Sequence, residues 1–319
     1  MKQLIINADD LGICEATNAA IAQSHREGVL TSASLMANGA ALEHAVEEVV
    51  RPNPQLGIGL HLCLTSGNCV SPPKEIPLLV NSEGRFCHGF AALTKLVWRK
   101  RDEAVAQIRR ELSAQCERLE SAGVDIDHGD GHRHFHMIPA ICAVVAELTR
   151  SRPGVALRIS DEPLPNLSQW RVPAAAATFA RNLPKRVILS HFAGRNRSAA
   201  KTVPTTRWTY GILGSGCMYA AVLRDMIPTL RPGVTEILTH PGLEKPSVPA
   251  AVDAGDAGFL KSADRVRELE ALIDGALRTA IEEAGAELIR FADFARTPSA
   301  AAVPTSDTAT AVSAEKPSL

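Results

Sequence analysis

Large aromatic rings are scarce in this chain of 319 residues: Phe, Trp and Tyr together make up 4%. The core is therefore expected to be built from Leu, Val, Ile and Ala. No stretch approaches the roughly eighteen apolar residues that a membrane-crossing helix needs. An excess of one charge is missing too, with 34 Lys and Arg against 35 Asp and Glu and a pI near 6.8. Without a basic stripe, that balance argues against nucleic acid or an anionic membrane as the main partner. Seven cysteines lie scattered, odd in number and without a CxxC pair. They exclude a disulfide framework or zinc ribbon, so free, mostly buried thiols are expected. The apolar core of a secretory leader is also lacking. Leu4-Ile5-Ile6 runs straight into Asn7-Ala8-Asp9-Asp10, whose two carboxylates interrupt such a segment. This points to a cytoplasmic protein. A hydrophobic fraction of 45% with 22% charged residues is that of a globular chain.

What is present is alternation. Strands are predicted over 3–8, 30–38, 56–64, 124–128, 155–160, 235–240 and 287–291. Helices are predicted over 15–26, 40–50, 102–119 and 138–149, with a late one carrying Val266, Leu269, Ile273, Leu277 and Ile281 at helical spacing. Strand–helix repetition implies a parallel sheet covered by helices. About eight such units suit a TIM-like (β/α) barrel, whose usual size is about 250 residues. A doubly wound open sheet is the rival. It would carry a glycine-rich phosphate turn after the first strand, where this chain has Asp9-Asp10-Leu11-Gly12. The expected fold is thus an α/β barrel, distorted by loop insertions over its active face. The proline-bearing stretch 70–85 reads as an irregular loop. The segment 164–207, rich in Arg and without clean periodicity, reads as an insertion with a solvated surface. Residues 1–296 form the expected domain. Residues 297–319, made mostly of Ala, Ser, Thr and Pro, are expected to be a disordered tail.

Three places carry chemistry: Asp9-Asp10, His61, and the run Asp130-Gly131-His132-Arg133-His134-Phe135-His136. All fall at or near strand C-terminal ends, where barrels gather functional groups. An Asp with two imidazoles suits Zn, Co or Mn, or Mg with waters, and three protein ligands leave positions open. Neighbouring side chains on a regular strand face opposite ways. Asp9 and Asp10 can therefore share a site only where the backbone turns, which is expected at Gly12. One carboxylate can then bind metal while the other serves as a base. In an extended run, His132, His134 and His136 would share one face. A single ion would take one or two of them. His240, ending a strand before Pro241-Gly242, is a candidate proton donor.

The motifs Ile6-Asn7-Ala8-Asp9-Asp10-Leu11-Gly12, Gly59-Leu60-His61, Asp130–His136 and Thr239-His240-Pro241-Gly242, in this order, resemble those of the YdjC-like carbohydrate deacetylases. The family includes bacterial chitooligosaccharide deacetylases, and the resemblance runs from residue 2 to about 293. It implies a distorted TIM-like barrel that removes N-acetyl groups from an amino sugar with one divalent ion, Mg or Zn before Co or Mn. It assigns Asp10, His61 and His132 to the metal, Asp9 to the base and His240 to the acid. Arg158 is matched to an arginine that orients Asp9 or the substrate, with Asp130, His134 and His136 as supporting or substrate-contacting groups. A hopanoid-associated branch is similar as well, sharing a segment like Tyr210-Gly211…Ser215-Gly216. Two other readings stay open: a deacylase of another N-acylated or lipid-linked sugar, and a non-catalytic sugar- or metal-binding barrel. A homodimer also stays open. Because the tail offers no apolar face to dock, removing residues after 298 should leave the melting temperature and activity unchanged. A clear drop in either would show that the tail packs on the domain.

Overall fold

In a computed structural model, residues 1–164 and 173–295 are described. The expected tail at 297–319 and part of the Arg-rich segment, 165–172, lie outside them. Eight strands form one sheet: β1 Lys2–Leu11, β2 Ser32–Leu35, β3 Gly57–Leu62, β4 Ile126–Gly131, β5 Ala156–Leu157, β6 Trp208–Tyr210, β7 Gly233–Thr239 and β8 Ala286–Leu288. Their order is β5-β4-β3-β2-β1-β7-β6, and every pairing is parallel. β8 lies off this path and pairs Lys2–Leu4, while β2 takes the second half of β1 from Asn7 onward. The outer strands curl toward each other. Leu157 N donates to Pro204 O at 2.8 Å, and Thr209 N to Asp161 O at 3.2 Å. The sheet is therefore a distorted TIM-like barrel, as expected.

Period two sorts the side chains of β1. Leu4, Ile6 and Ala8 face outward into the main core, together with Leu35, Ile58, Leu60, Ile126 and Ile237. Amphipathic helices cover that surface: the 101–121 helix, for example, buries Ile108, Leu112, Cys116 and Leu119. The inward set begins with Ile5, which joins Ala156, Ile289 and Phe291 in a small apolar cluster closing one end of the barrel. His128 stacks on Phe291, with ring centroids 3.8 Å apart. Further along lies a polar layer of Asn7, Ser34, Asp130, Arg158 and Glu236, all fully buried. A barrel this crowded needs strands without side chains at some points. A Cβ on Gly59 would sit 2.2 Å from the His128 ring.

Three expectations change. The Arg-rich segment is helical over Pro173–Ala199, which buries Phe179, Leu189 and Ala193, and irregular only over 200–207 among its described residues. Its alanines and arginines hid the apolar stripe. The late helix is two helices, Ala263–Ile273 and Gly275–Glu283, because Asp274 caps the second by accepting from Ala276 N at 2.9 Å. The face buried by the first is Arg265, Glu268, Leu269 and Leu272, so Val266 is not part of it. All seven cysteines are free, and all but Cys69 and Cys87 are buried. No helix among the described residues is long and apolar enough to cross a membrane.

Gly59→Ala should destabilise the fold by about 1–3 kcal/mol or more through overpacking against His128. A urea melt beside the wild type reads this. An unchanged midpoint would mean that the barrel interior has slack.

Candidate active site

The first two carboxylates reach one place through a backbone defect. The β1–β2 register shifts between Ala8 and Leu11, and Asp10 sits at φ 68° in the left-handed region. A non-glycine residue there costs roughly 1–3 kcal/mol and persists only where its surroundings hold it. The extra residue turns both Asp9 and Asp10 into the barrel mouth. The turn expected at Gly12 therefore starts two residues earlier, and Asn18 Oδ1 fixes it by accepting from Gly12 N at 2.7 Å.

Asp10, His61 and His132 each present one ligand atom, all within 4.8 Å of one another. Asp10 Oδ1 lies 3.1 Å from His132 Nδ1 and 3.6 Å from His61 Nε2. The far side of each ring is held by another carboxylate, His61 Nδ1 by Asp130 at 2.5 Å and His132 Nε2 by Asp256 at 3.0 Å. Donation to these carboxylates turns the remaining lone pairs toward Asp10, an arrangement that orients metal-binding imidazoles. His61 Nε2 is buried with no hydrogen-bond partner. Two imidazoles, one carboxylate and an orphaned nitrogen fit a borderline divalent ion. Asp9, His61 and Asp130 form a second close group. It suits a cation poorly, because a guanidinium already occupies both carboxylates.

That guanidinium is Arg158, fully buried. It donates to both oxygens of Asp9 at 2.8 and 2.9 Å and to Glu236 Oε1 at 2.8 Å, and it lies 2.9 Å from Asp130 Oδ2. Asn7 Nδ2 donates to Asp9 Oδ1 at 2.9 Å, so the carboxylate orientation is fixed. Burial alone would raise the Asp130 and Asp10 pKa values. For Asp130, Arg158 and His61 outweigh it; for Asp10, His132 and His61 do. Both stay well below the usual carboxylate range. Burial likewise opposes charge on His61, but Asp130 and Asp9 push its pKa up to about 10. Against the same opposition, Asp10 and Asp256 hold His132 well above its ordinary value. Protons therefore sit where a cation would bind, and an ion must displace them.

The histidine run is a turn and not an extended segment. Arg133 and His134 adopt φ 54° and 57°, so the run is a tight turn and the three imidazoles do not share a face. His132 points to Asp10, whereas His134 Nδ1 and His136 Nε2 turn to Ser160 Oγ at 3.0 and 3.5 Å. Of that pair only His134 lines the mouth cavity, which measures about 250 Å³ and also takes in Asp9, Asp10, His61, His132 and His240. His240 Nδ1 is buried and unpartnered, and its backbone N donates to Glu268 Oε2 at 2.6 Å. Burial pushes its pKa down to about 4, below the ordinary imidazole value.

Several groups here escaped the sequence reading. Arg265 Nη1 lies 3.2 Å from Asp10 Oδ2, and Asp256, Glu236 and Glu268 support His132, Arg158 and His240. Lys185, Ser215 and Phe259 complete the cavity wall. Glu236 carried a signal, as a lone carboxylate inside the apolar strand Val234–Leu238. Arg265 and Glu268, three residues apart beside Leu269 and Leu272, carried another. Nothing local marks Asp256 or Lys185.

Barrel and site together define an α/β protein with a cavity of carboxylates and imidazoles at its strand ends, three of which could hold a metal ion. The chain belongs to the YdjC-like protein family, whose model matches residues 3–283. It is similar to a carbohydrate deacetylase of Brevibacillus brevis, 32% identical over 92% of this chain and 99% of that one. A carbohydrate deacetylase of Mus musculus is 30% identical over 92% and 94% of the two chains. A chitooligosaccharide deacetylase of Salmonella typhimurium is 36% identical, over 52% of this chain and 62% of its own. A crystal structure of an Enterococcus faecalis protein, for which cellobiose-phosphate cleavage has been suggested, shares the fold. It shows a TM-score of 0.66 at 24% identity over 92% of this chain and 98% of that one.

Arg158→Met would leave Asp9, Asp130 and Glu236 buried without their cation, at a cost of about 3–5 kcal/mol. In the wild type, the stability from the depressed Asp130 is present above the unfolded carboxylate pKa and is lost as pH falls. In the variant Asp130 and Glu236 lose the cation that favours their charged forms and prefer to be protonated, so its stability should rise as pH falls. Urea melts at neutral and mildly acidic pH check the sign, and a parallel decline in both proteins would contradict it.

Proposed function

We propose that the protein is a metal-dependent hydrolase that removes N-acetyl groups from an amino sugar or oligosaccharide. One observation carries the reading: Asp10, His61 and His132 converge on one volume, with Asp9 clamped beside them in the same cavity. The named activities of the relatives support the substrate class. Residues 1–296 act as one catalytic domain in this reading.

Asp10 Oδ1, His61 Nε2 and His132 Nδ1 are the atoms that would hold the ion. When bound, a divalent ion polarises the acetyl carbonyl and acidifies water. Zn suits the two imidazoles, and Mg remains compatible if waters complete its shell. Asp9 takes the proton from the attacking water, and Arg158 keeps its carboxylate aimed into the cavity. Water adds to the acetyl carbon, the C–N bond breaks, and acetate and the free amine leave. His240 supplies the proton that the departing nitrogen needs. Asp9, Asp10, His61, His132 and His240 are all present and all face one cavity, which favours catalysis over a binding-only barrel.

Asp10→Ala, His61→Ala and His132→Ala should each lower the metal content of the folded protein. Asp9→Asn should keep the metal and lose about 10²–10⁴-fold in turnover, as expected for a missing general base. Full occupancy in all three ligand variants, or a near-native Asp9→Asn, would remove those assignments. With its pKa near 4, the protonated fraction of His240 shrinks about tenfold per pH unit across the neutral range. We therefore expect kcat/KM to decline with rising pH there, and His240→Gln to abolish the decline. The variant should lose far more turnover on an amide than on an activated ester. Equal losses on both substrates would remove His240 from proton transfer.

A further inference from the structure

We propose that the rim beside the barrel mouth is a docking face for an anionic lipid surface. Among the described residues, the large hydrophobic side chains left in solvent are Met1, Trp98, Leu164, Leu183, Val187 and Ile188. Trp98 lies on the helix Phe90–Arg99, and Leu183, Val187 and Ile188 lie on the helix Pro173–Ala199; both helices pack against the His132–Met137 turn that supplies the site. Trp98 is 81% exposed, Val187 53% and Ile188 46%. The other face of the longer helix is well used, with Phe179, Leu189 and Ala193 buried. Its outward stripe of Leu183, Val187 and Ile188 is left in solvent among the described residues.

Charge marks the same rim. Residues 90–101 and 173–207 carry eleven lysines and arginines and no aspartate or glutamate, and Arg99, Arg101, Arg181 and Arg195 among them are exposed. Arg181, Ile188 and Arg195 are spaced seven apart, two helical turns each, so they share one exposed face. Arg99 and Arg101 follow Trp98 at the end of the shorter helix and the start of the next. None of these four arginines forms an ion pair among the described residues. The near-neutral net charge hides this asymmetry, because the acids lie elsewhere in the sequence. A peripheral contact of this kind involves no membrane span.

An apolar stripe bordered by basic side chains, with a tryptophan beside it, suits the headgroup–acyl boundary of an anionic bilayer. The other occupants fit less well. A nucleic acid backbone would take the arginines but leave Val187, Ile188 and Trp98 unused. A second copy docked through the same patch would set arginine against arginine.

Sedimentation of the full chain with vesicles tests this without any assay of activity. The protein should pellet with vesicles of phosphatidylcholine and phosphatidylglycerol in equal parts, not with phosphatidylcholine alone, and added salt should release it. The pairs Val187→Ser/Ile188→Ser and Arg181→Glu/Arg195→Glu should each weaken binding about tenfold or more, at unchanged melting temperature. Trp98→Ala, on a different helix, should weaken it as well, which keeps the test open if a double variant folds poorly. No binding to the anionic vesicles, or variants that bind like the wild type, would overturn the proposal. So would a wild-type dimer that the variants dissociate, or equal affinity for a DNA duplex.

Discussion

A single guanidinium organises this barrel. Arg158 lies sealed from solvent among Asp9 of β1, Asp130 of β4 and Glu236 of β7. Three carboxylates brought together without it would repel one another and force protonation. With it, the polar layer becomes the seam that joins β5 to strands far from it in sequence, with Asp9 149 residues away and Glu236 78. Glu236 itself sits above its ordinary pKa, since burial outweighs Arg158 there. The hub is therefore saturated with acid, and any loss of its cation is felt at once.

The hub extends to the mouth through Asp130. One of its oxygens faces Arg158, and the other takes the far nitrogen of His61. Ser34 Oγ donates to the first oxygen at 2.6 Å and leaves it little freedom. The ring of His61 is thereby aimed by the same carboxylate that neutralises the arginine. His132 is aimed separately by Asp256, which Arg133 in turn holds at 2.7 Å. The Asp10–His61–His132 group is thus oriented from two sides of the barrel, one interior and one on the rim. Such outer support is what keeps first ligands in a productive geometry.

Much of this was legible in the sequence for physical reasons. Alternation of period two with helical spacing exposed β1, β3, β4, β7 and their helices, because burial on one side leaves a periodic trace. Asp9, Asp10 and His61 were found because carboxylates and imidazoles are costly inside apolar strands without a task. Other elements left no such trace. β6 has three residues, too few for a period. A turn at His132–Met137 is readable from the sequence, but the left-handed Arg133 and His134 that aim its three imidazoles apart are not. Arg265 and Asp256 reach Asp10 and His132 across more than a hundred residues of chain, so only the tertiary fold reveals them. The low pKa of His240 likewise comes from its burial, not from its neighbours in sequence.

In the proposed reaction, the clamped Asp9 beside the Asp10–His61–His132 trio drives hydrolysis of an N-acetyl amide. The most direct measurement is to load the protein with Zn or Mg, supply diacetylated chitobiose, and quantify acetate and free amine together. The account predicts that the two appear in equal amounts and that both vanish in Asp9→Asn protein carrying the same metal. Folded, metal-loaded wild type that releases no acetate, or release that survives the loss of Asp9, would contradict it.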